Sequence, residues 1–372
     1  MISRLSRSLQ EIELLSREIM NGDFGADGDL FVSTQKLADL RGISLVTAQR
    51  VMEGLREKNL IELKGKKYFL AYAMELQKTK IFALHIPDIE NQYFASIVQA
   101  VQSSAAKCGY KLIISCSGYN TRREFEIMQM FQTINAVGVM SCPGVSDNTR
   151  AIYHKYQLPL VFIGRIPHKI NGQSVSVNVY PATKRVAEHF IANRYKNFAY
   201  VGLREFPIEE DQRLQGFHDG IKKAGYKLAE ESIIRVRVKD IMKASELFQN
   251  FLMAQPKPTA VFCFHDLIAA EIMRACHKLK LAIPEDIAVC GFDNLPIASS
   301  LVPTLTTVGY EINEMADMAI RLLCKQVEHG IKKSLNYYIE PSLVIRESST
   351  KHELDENRLA SNLENFHNSV IT

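Results

Sequence analysis

Residues 258–323 read PTAVFCFHDLIAAEIMRACHKLKLAIPEDIAVCGFDNLPIASSLVPTLTTVGYEINEMADMAIRLL. Two short apolar runs, AVFCF at 260–264 and IAVCGF at 287–292, flank a segment with the apolar spacing of an amphipathic helix. Buried strands that alternate with amphipathic helices are typical of a parallel sheet covered by helices on both faces. The stretch therefore predicts an α/β fold.

The same alternation extends from Lys80 to about Ser349. It predicts strands at KIFALHI, KLIISC, AVGVMSC, LPLVFIG, SVSVNV, NFAYVG, IIRVRV, AVFCF, IAVCGF and NYYIEPSLVI. So many strands exceed what one doubly wound sheet comfortably holds, so we expect two lobes.

The first 70 residues have another pattern: helix, loop, two helices and a hairpin. Ser33 and Ser44 are predicted N-caps of the second and third helices. The hairpin has a Lys-Gly-Lys-Lys tip at 64–67. A helix–turn–helix followed by a basic hairpin predicts an α+β winged helix, whose last helix, about 44–58, enters the major groove of DNA.

The charge of this region favours DNA binding. The chain as a whole is only +4, but residues 41–67 hold seven Lys or Arg against three Glu. Polar, basic and methyl-bearing side chains near the second and third helices and the hairpin can contact phosphates or base edges. The candidates for DNA contact are Ser33, Gln35, Ser44, Leu45, Thr47, Gln49, Arg50, Lys64, Lys66 and Lys67. The alternative is that the winged helix only mediates dimerisation or protein docking.

Residues 8–70 resemble the GntR family of regulators. The resemblance rests on the helix end Ile19-x-x-Gly22, on Gly28-Asp29, Leu37-Ala38, Ile43-Ser44, and a hairpin that ends Phe69-Leu70. It implies a winged-helix DNA-binding domain. Arginines that are common in the family are replaced here, so the operator sequence does not carry over. The positions concerned are Gln35, Leu45 and Gln49.

Polar and aromatic residues follow several strands of the α/β region. Ligands of open α/β sheets bind outside the carboxyl ends of the strands, so these residues can converge on one crevice. Aromatic rings that pack on C–H faces, with Arg and Asp to bind hydroxyls, suit a sugar. The candidates for effector binding are Asn91, Tyr93, Phe94, Arg165, Arg213, His265 and Asp293.

Some of these residues have a structural alternative. Phe94 can be a core anchor, and Asp293 can brace a turn. We expect Asp266 to cap the helix that it opens rather than to contact a ligand.

The α/β region resembles the effector domain of the LacI/GalR family along nearly its whole length. The resemblance rests on Pro284-Glu285-Asp286-Ile287 through Gly291-Phe292-Asp293 and on Pro303 through Val308, and on shorter matches such as Asn91-x-x-Phe94 and Val344 through Ser348. It implies a two-lobed, periplasmic-binding-protein-like fold with parallel sheets, in which the chain crosses between the lobes near Val179, Val308 and Lys333. The first lobe is then expected at about 80–178 and 309–333, and the second at about 179–308 and 334–349.

The resemblance also implies site roles. Arg213 and Asp293 are expected to bind sugar hydroxyls, and Tyr93, Phe94 and Arg165 to line the cleft. His265 replaces a common Asn, which raises the hypothesis that a neutral-to-cationic imidazole favours an acidic or phosphorylated sugar.

Composition and motifs exclude other classes of protein. The chain is 47% hydrophobic and 23% charged, has no apolar run long enough to span a membrane, and has no secretory signal at its N-terminus, so we expect a cytoplasmic protein. Its seven scattered cysteines predict reduced thiols rather than disulfides or a metal site. Phosphate-binding, nucleophile-elbow and metalloprotease motifs are absent from the sequence, so we expect no catalytic residues, no metal and no cofactor.

The sequence therefore predicts a regulator similar in organisation to arabinose-repressor-like proteins. Residues 1–70 bind an operator in double-stranded DNA, 71–79 connect, 80–349 bind a small sugar-like effector, and 350–372 form a polar tail. We expect a homodimeric repressor that sugar releases from DNA, with no membrane partner. The alternatives are a cytoplasmic sugar receptor without a DNA role and a sugar-acting enzyme.

Overall fold

The computed structural model describes residues 7–20, 22–71, 80–143, 152–153, 156, 158–164, 172–254, 259–330 and 334–351. The chain forms two compact units: residues 1–81 with 109–111, and the remainder. Of the predicted connector, residues 71–79, only Ala71 is described. The tail beyond Lys351 also lies outside the described residues.

The amino-terminal unit begins with three helices, α1 (Arg7–Met20), α2 (Thr34–Arg41) and α3 (Leu45–Glu57). Apolar side chains at helical spacing on all three helices meet in one core. Apolar side chains of the hairpin that follows α3 belong to the same core. The fully buried members include Leu15, Ile19, Leu37, Val51, Leu55, Ile61 and Leu70.

The helix ends follow the predicted caps. The Ser33 hydroxyl accepts a hydrogen bond from the Lys36 N–H, and the Ser44 hydroxyl accepts one from the Thr47 N–H. Gly42 ends α2 in the left-handed conformation, with φ of 59°. These caps fix the short turn between α2 and α3.

A hairpin of two antiparallel strands, β1 (Ile61–Lys64) and β2 (Lys67–Leu70), follows α3. Leu30, which precedes α2, forms an antiparallel bridge to Phe69. The hairpin is thus tied to the loop between α1 and α2.

The second unit contains two six-stranded sheets. The first has the spatial order β13-β7-β6-β5-β3-β4, and its first four neighbouring pairs are parallel. Its strands are β3 (Ile81–Ile86), β4 (Lys111–Cys116), β5 (Gly138–Ser141), β6 (Leu160–Ile163), β7 (Gln173–Val177) and β13 (Leu335–Ile339). The helices of this lobe are α4 (Gln92–Lys107), α5 (Thr121–Thr133) and α11 (Ile312–His329).

The second sheet has the order β14-β12-β11-β10-β8-β9, with only β14 antiparallel to its neighbour among the registered pairs. Its strands are β8 (Phe198–Leu203), β9 (Ile233–Val236), β10 (Ala260–Cys263), β11 (Ala288–Phe292), β12 (Thr306–Gly309) and β14 (Ser342–Val344). Its helices are α6 (Val179–Ala192), α7 (Gln212–Lys223), α8 (Ala244–Ala254), α9 (Asp266–Lys278) and α10 (Pro296–Ser300).

The structure corrects the predicted lobe boundary near Lys333, a residue outside the described ones. Strand β13 (Leu335–Ile339) pairs with β7 in the first sheet, so the first lobe continues to Ile339. The run NYYIEPSLVI was therefore wrongly read as one strand. Because Glu340-Pro341 interrupts it, the chain crosses there, and β14 joins the second sheet.

Strand β12 (Thr306–Gly309) was not predicted. Its residues TTVG are too short and too rich in hydroxyls to stand out as an apolar run, yet all four are buried. The crossings near Val179 and Val308 agree with the structure, since β7 precedes α6 and β12 precedes α11.

Candidate ligand-binding cavity and basic surface

A cavity of about 370 Å³ lies between the two lobes, at the carboxyl ends of their strands. This volume is near the lower end of the range of about 300–1000 Å³ that small-molecule sites occupy. Six of the seven residues predicted to bind an effector line it: Asn91, Tyr93, Phe94, Arg213, His265 and Asp293. Arg165 lies outside the described residues.

The first lobe contributes the start of α4 to the cavity wall. The Asn91 side chain caps this helix by accepting a hydrogen bond from the Tyr93 N–H at 3.0 Å. The rings of Tyr93 and Phe94 are 5.0 Å apart and meet edge to face. Burial raises the pKa of Tyr93, so its phenol is a neutral hydrogen-bonding group. Both aromatic rings are part of the wall rather than of the lobe core alone.

The second lobe contributes Arg213, which stands in the first turn of α7. Asp211 caps this helix, because its carboxylate accepts hydrogen bonds from the Arg213 and Leu214 N–H groups. The Arg213 guanidinium lies between two rings, 4.1 Å from the centroid of Phe264 and 4.2 Å from that of Phe292. The two rings fix the plane of the guanidinium.

The Arg213 side chain is not fully satisfied by the protein. Its Nη2 is 3.6 Å from Asp293 Oδ1, whereas its Nε is buried and has no hydrogen-bond partner among the described residues. A buried donor without a partner carries a desolvation cost that a bound acceptor can remove.

Asp293 follows β11 with a φ of 97°, a region that side chains rarely adopt. Its Oδ1 accepts a hydrogen bond of 2.9 Å from the Tyr310 hydroxyl. Burial raises the pKa of Asp293, and the Arg213 guanidinium opposes that rise. Backbone strain of this kind is concentrated at functional sites, and Asp293 both lies in a turn and lines the cavity.

His265, and not Asp266, is the N-cap of α9. The prediction for Asp266 was wrong because Asp266 is already the first helical residue, while the His265 ring Nδ1 accepts the Ile268 N–H at 3.2 Å. Burial and the nearby positive charge of Arg213 lower the pKa of His265 to about 3. The imidazole is therefore neutral and adds no positive charge for an acidic or phosphorylated sugar, whose binding here stays a prediction.

The Asp266 carboxylate instead joins three segments of the second lobe. It accepts hydrogen bonds from the Leu295 N–H at 2.7 Å and from the Thr307 hydroxyl at 2.5 Å. A Cβ at Gly291 would lie 2.2 Å from its Oδ1, so β11 needs glycine beside it. Burial raises the pKa of Asp266 to about 8.

Five aromatic residues that line the cavity were not predicted: Tyr119, Phe206, Phe264, Tyr310 and Tyr338. Tyr310 could have been found if β12 had been predicted, because it follows the carboxyl end of that strand directly. Tyr119, with a φ of 55°, lies in the turn after β4 and gave no periodic signal.

The predicted DNA-contacting residues of the amino-terminal unit lie at its surface. In α3, Leu45, Gln49 and Arg50 are exposed and Thr47 is half-buried. Ser33, Gln35 and Ser44 are also exposed, although Gln35 donates a hydrogen bond to Asp39 at 3.3 Å.

The hairpin tip presents lysines of two kinds. Lys66 and Lys67 are exposed, whereas Lys64 forms an ion pair with Glu62 and lies over the ring of Phe69. Arg41, counted in the basic surplus, is paired with Glu18. The basic surface is therefore narrower than the sequence suggests.

Comparison with known protein families finds a match to part of the second unit. Residues 187–349 match the family model of a periplasmic binding protein-like domain.

Within the described residues, no helix is both long and apolar enough to cross a membrane.

Two curated relatives align with most of the chain. The HTH-type transcriptional regulator DegA of Bacillus subtilis is 23% identical over 84% of this chain and 97% of its own length. The ribose operon repressor of Haemophilus influenzae is 26% identical over 84% of this chain and 97% of its own.

A solved structure shares the fold. The periplasmic binding protein/LacI transcriptional regulator of Alkaliphilus metalliredigens QYMF, complexed with D-xylulofuranose, superimposes with a TM-score of 0.61 at 22% identity. The match covers 73% of this chain and all of that one. Together these similarities support a transcription regulator, rather than an enzyme, that carries a periplasmic binding protein-like domain.

Proposed function

We propose that this protein is a transcriptional repressor whose binding to operator DNA is controlled by a small sugar-like effector in the cavity between its two lobes. The observation that carries the proposal is the Arg213–Asp293 pair in that cavity, with the Arg213 guanidinium held between the rings of Phe264 and Phe292. Rings offer faces for C–H groups, and an Arg beside a carboxylate binds adjacent hydroxyls, a combination that suits a sugar.

We assign DNA binding to residues 1–70, as a winged helix of GntR type. Three helices followed by a hairpin with exposed lysines support this assignment. Helix α3 would enter the major groove with Leu45, Thr47, Gln49 and Arg50, and Lys66 and Lys67 would contact the backbone. Ser33 and Ser44, at helix starts, would bring backbone N–H groups to phosphates. Gln35 and Lys64 have protein partners and would contribute less.

We further propose a homodimer in which effector binding changes the angle between the lobes. The chain crosses between the lobes three times, after β7, after β12 and at Glu340-Pro341, so the lobes can rotate as bodies. A ligand shifts such an equilibrium only by its difference in affinity for the two states. We expect the effector to favour the state that releases DNA, as in a repressor of sugar-utilisation genes.

The test combines DNA binding with a panel of sugars. Full-length protein is titrated into labelled DNA from upstream of its own coding sequence, with and without pentoses, hexoses and their phosphates. We expect specific binding that at least one sugar weakens about tenfold or more, the range typical of allosteric coupling. Binding no tighter than to unrelated DNA, or turnover of a sugar with NAD or ATP, would contradict the proposal.

A further inference from the structure

We infer that Leu45 and Val46, in the first turn of α3, recognise the methyl groups of thymines in the operator, and that Val46 is a further specificity-determining residue. The inference deepens the proposed function and rests on it. The site is the exposed surface of α3 formed by Leu45, Val46, Gln49 and Arg50, which we call the reading face.

The reading face begins with two apolar side chains that the fold leaves in solvent. Leu45 is 46% exposed and Val46 is 60% exposed. The helix meanwhile buries its other apolar side chains in the core of the amino-terminal unit: Ala48, Val51, Met52 and Leu55. Neither Leu45 nor Val46 belongs to that core, so packing within the unit does not explain them.

The hydroxyl groups of the same turn are engaged within the protein. The hydroxyls of Ser44 and Thr47 lie 2.8 Å apart and hydrogen-bond to each other, and the Ser44 hydroxyl also accepts the Thr47 N–H at 3.2 Å. The first turn therefore presents mainly methyl groups to a partner. The polar side chains of the reading face come one turn later, because Gln49 follows Leu45 and Arg50 follows Val46 at a spacing of four residues.

The charge of the reading face fits DNA as that partner. From Ser44 to Met52 the sequence contains one charged residue, Arg50, and the first acidic residue is Glu53. The N-terminal end of the helix adds a partial positive charge. A polyanion is therefore attracted to the first two turns of α3 and repelled by the third, which agrees with a helix that enters the major groove N-terminus first.

Thymine is the base that an apolar turn can select. In the major groove it is the one standard base that carries a methyl group, and an apolar side chain that covers this group removes both from water. Over guanine or cytosine the same side chain would cover a carbonyl or an amino group without offering a hydrogen bond, which is unfavourable. Leu45 and Val46 therefore favour A·T pairs, with the thymine on one particular strand.

The test compares thymine with uracil, which has the same hydrogen-bonding groups and lacks only the methyl. Selection from random DNA duplexes by the full-length protein first defines the operator, and each of its thymines is then replaced by uracil in turn. We expect at least one position at which uracil weakens binding by about two- to fourfold, the effect of returning one methyl-sized group to water. Fluorescence anisotropy at constant salt measures the affinities.

Val46→Ala and Leu45→Ala connect this preference to the reading face. Each variant should bind thymine and uracil equally at a position where the wild type distinguishes them. Leu14→Ala, which shortens a similarly exposed side chain on α1, is the matched control and should keep the full preference for thymine. All three positions are exposed, and circular dichroism checks that the variants are folded.

Two results would overturn the inference and leave the proposed function standing. One is specific DNA binding that does not change with uracil at any position. The other is a preference for thymine that both Val46→Ala and Leu45→Ala retain, as expected if these side chains contact a protein instead. Selection of no sequence at all would contradict the proposed function, and the inference with it. A preference for thymine in a protein whose DNA binding no sugar changes would support the inference and count against effector control alone.

Discussion

The Arg213 guanidinium lies 3.6 Å from the carboxylate of Asp293, and the Tyr310 hydroxyl donates a 2.9 Å hydrogen bond to that same carboxylate oxygen. Asp293 follows β11, Tyr310 follows β12, and Arg213 lies in the first turn of α7. The three side chains meet because the parallel strands of the second sheet end at one edge. Arg213 also lies between the rings of Phe264 and Phe292. Arg213 and Asp293 are therefore held beside each other by contacts within the protein.

Arg213→Ala should abolish the effector response. It removes the unsatisfied Nε donor and the charge opposite Asp293, and hydrogen bonds to charged groups are worth about 1.5–3 kcal/mol. We expect effector binding to weaken by at least about tenfold, as measured by calorimetry, while affinity for DNA stays within about twofold. Arg122→Ala, on an exposed part of α5, is the control. An unchanged effector response in Arg213→Ala would remove Arg213 from the site.

Replacing Lys66 and Lys67 together with Ala should weaken binding to every DNA sequence. Lysines that neutralise phosphates release counterions, so the slope of log K against log salt should fall by about 0.9 for each phosphate that is no longer neutralised. Fluorescence anisotropy over a salt series measures the slope. Lys222→Ala with Lys223→Ala removes the same charge from exposed positions of the second unit and should leave the slope unaltered. If both double variants behave alike, the hairpin does not contact DNA.

Gln49→Ala should reduce specific binding more than non-specific binding. Gln49 is exposed on α3, where its amide can pair with an adenine edge, and removing such a pairing costs about 1–3 kcal/mol. The measurement compares affinities for the operator and for unrelated DNA. Arg56→Ala, exposed in the last turn of the same helix, should change both affinities equally or not at all. Equal losses on both DNAs in Gln49→Ala would argue against base readout by this residue.

Asp266 should make stability fall as pH rises. Burial raises the pKa of its carboxyl to about 8 in the folded chain, above the ordinary value of 3.8. The folded state thus holds a proton that the unfolded state releases, so this contribution is present below pH 4 and is lost as pH rises towards 8. Urea unfolding at several pH values should show the wild type losing free energy of unfolding relative to Asp266→Asn, whose amide does not titrate. Parallel pH profiles would show that Asp266 is ionised in the folded protein.

The fold was predictable where residue patterns are local. AVFCF and IAVCGF contain β10 and β11, as expected for short, continuous apolar runs that alternate with amphipathic helices. Strand β12 was not predicted, because its threonines are buried by the neighbouring strands of the sheet. That burial cannot be seen in the residue pattern of the segment itself. The change of sheet at Glu340-Pro341 likewise depends on tertiary pairing.

Several residues that line the cavity could be predicted, because they follow the ends of strands. Their protonation states and hydrogen bonds were harder to predict. Arg213, His265 and Asp293 were placed because each lies at or beyond the end of a predicted strand. The state of His265 could not be predicted, because its burial, its bond to the Ile268 N–H and the charge of Arg213 arise only in the folded lobe. The same holds for Asp266, whose partners Leu295 and Thr307 are 29 and 41 residues away along the chain.

Control of DNA binding by the cavity is tested by one titration of labelled upstream DNA with the wild-type protein and with Arg213→Ala, each with and without the sugar that binds best. We expect equal DNA affinity for the two proteins without sugar, and release of DNA by sugar from the wild type only. Release of DNA from both proteins alike, or from neither, would contradict the claim that this cavity controls DNA binding.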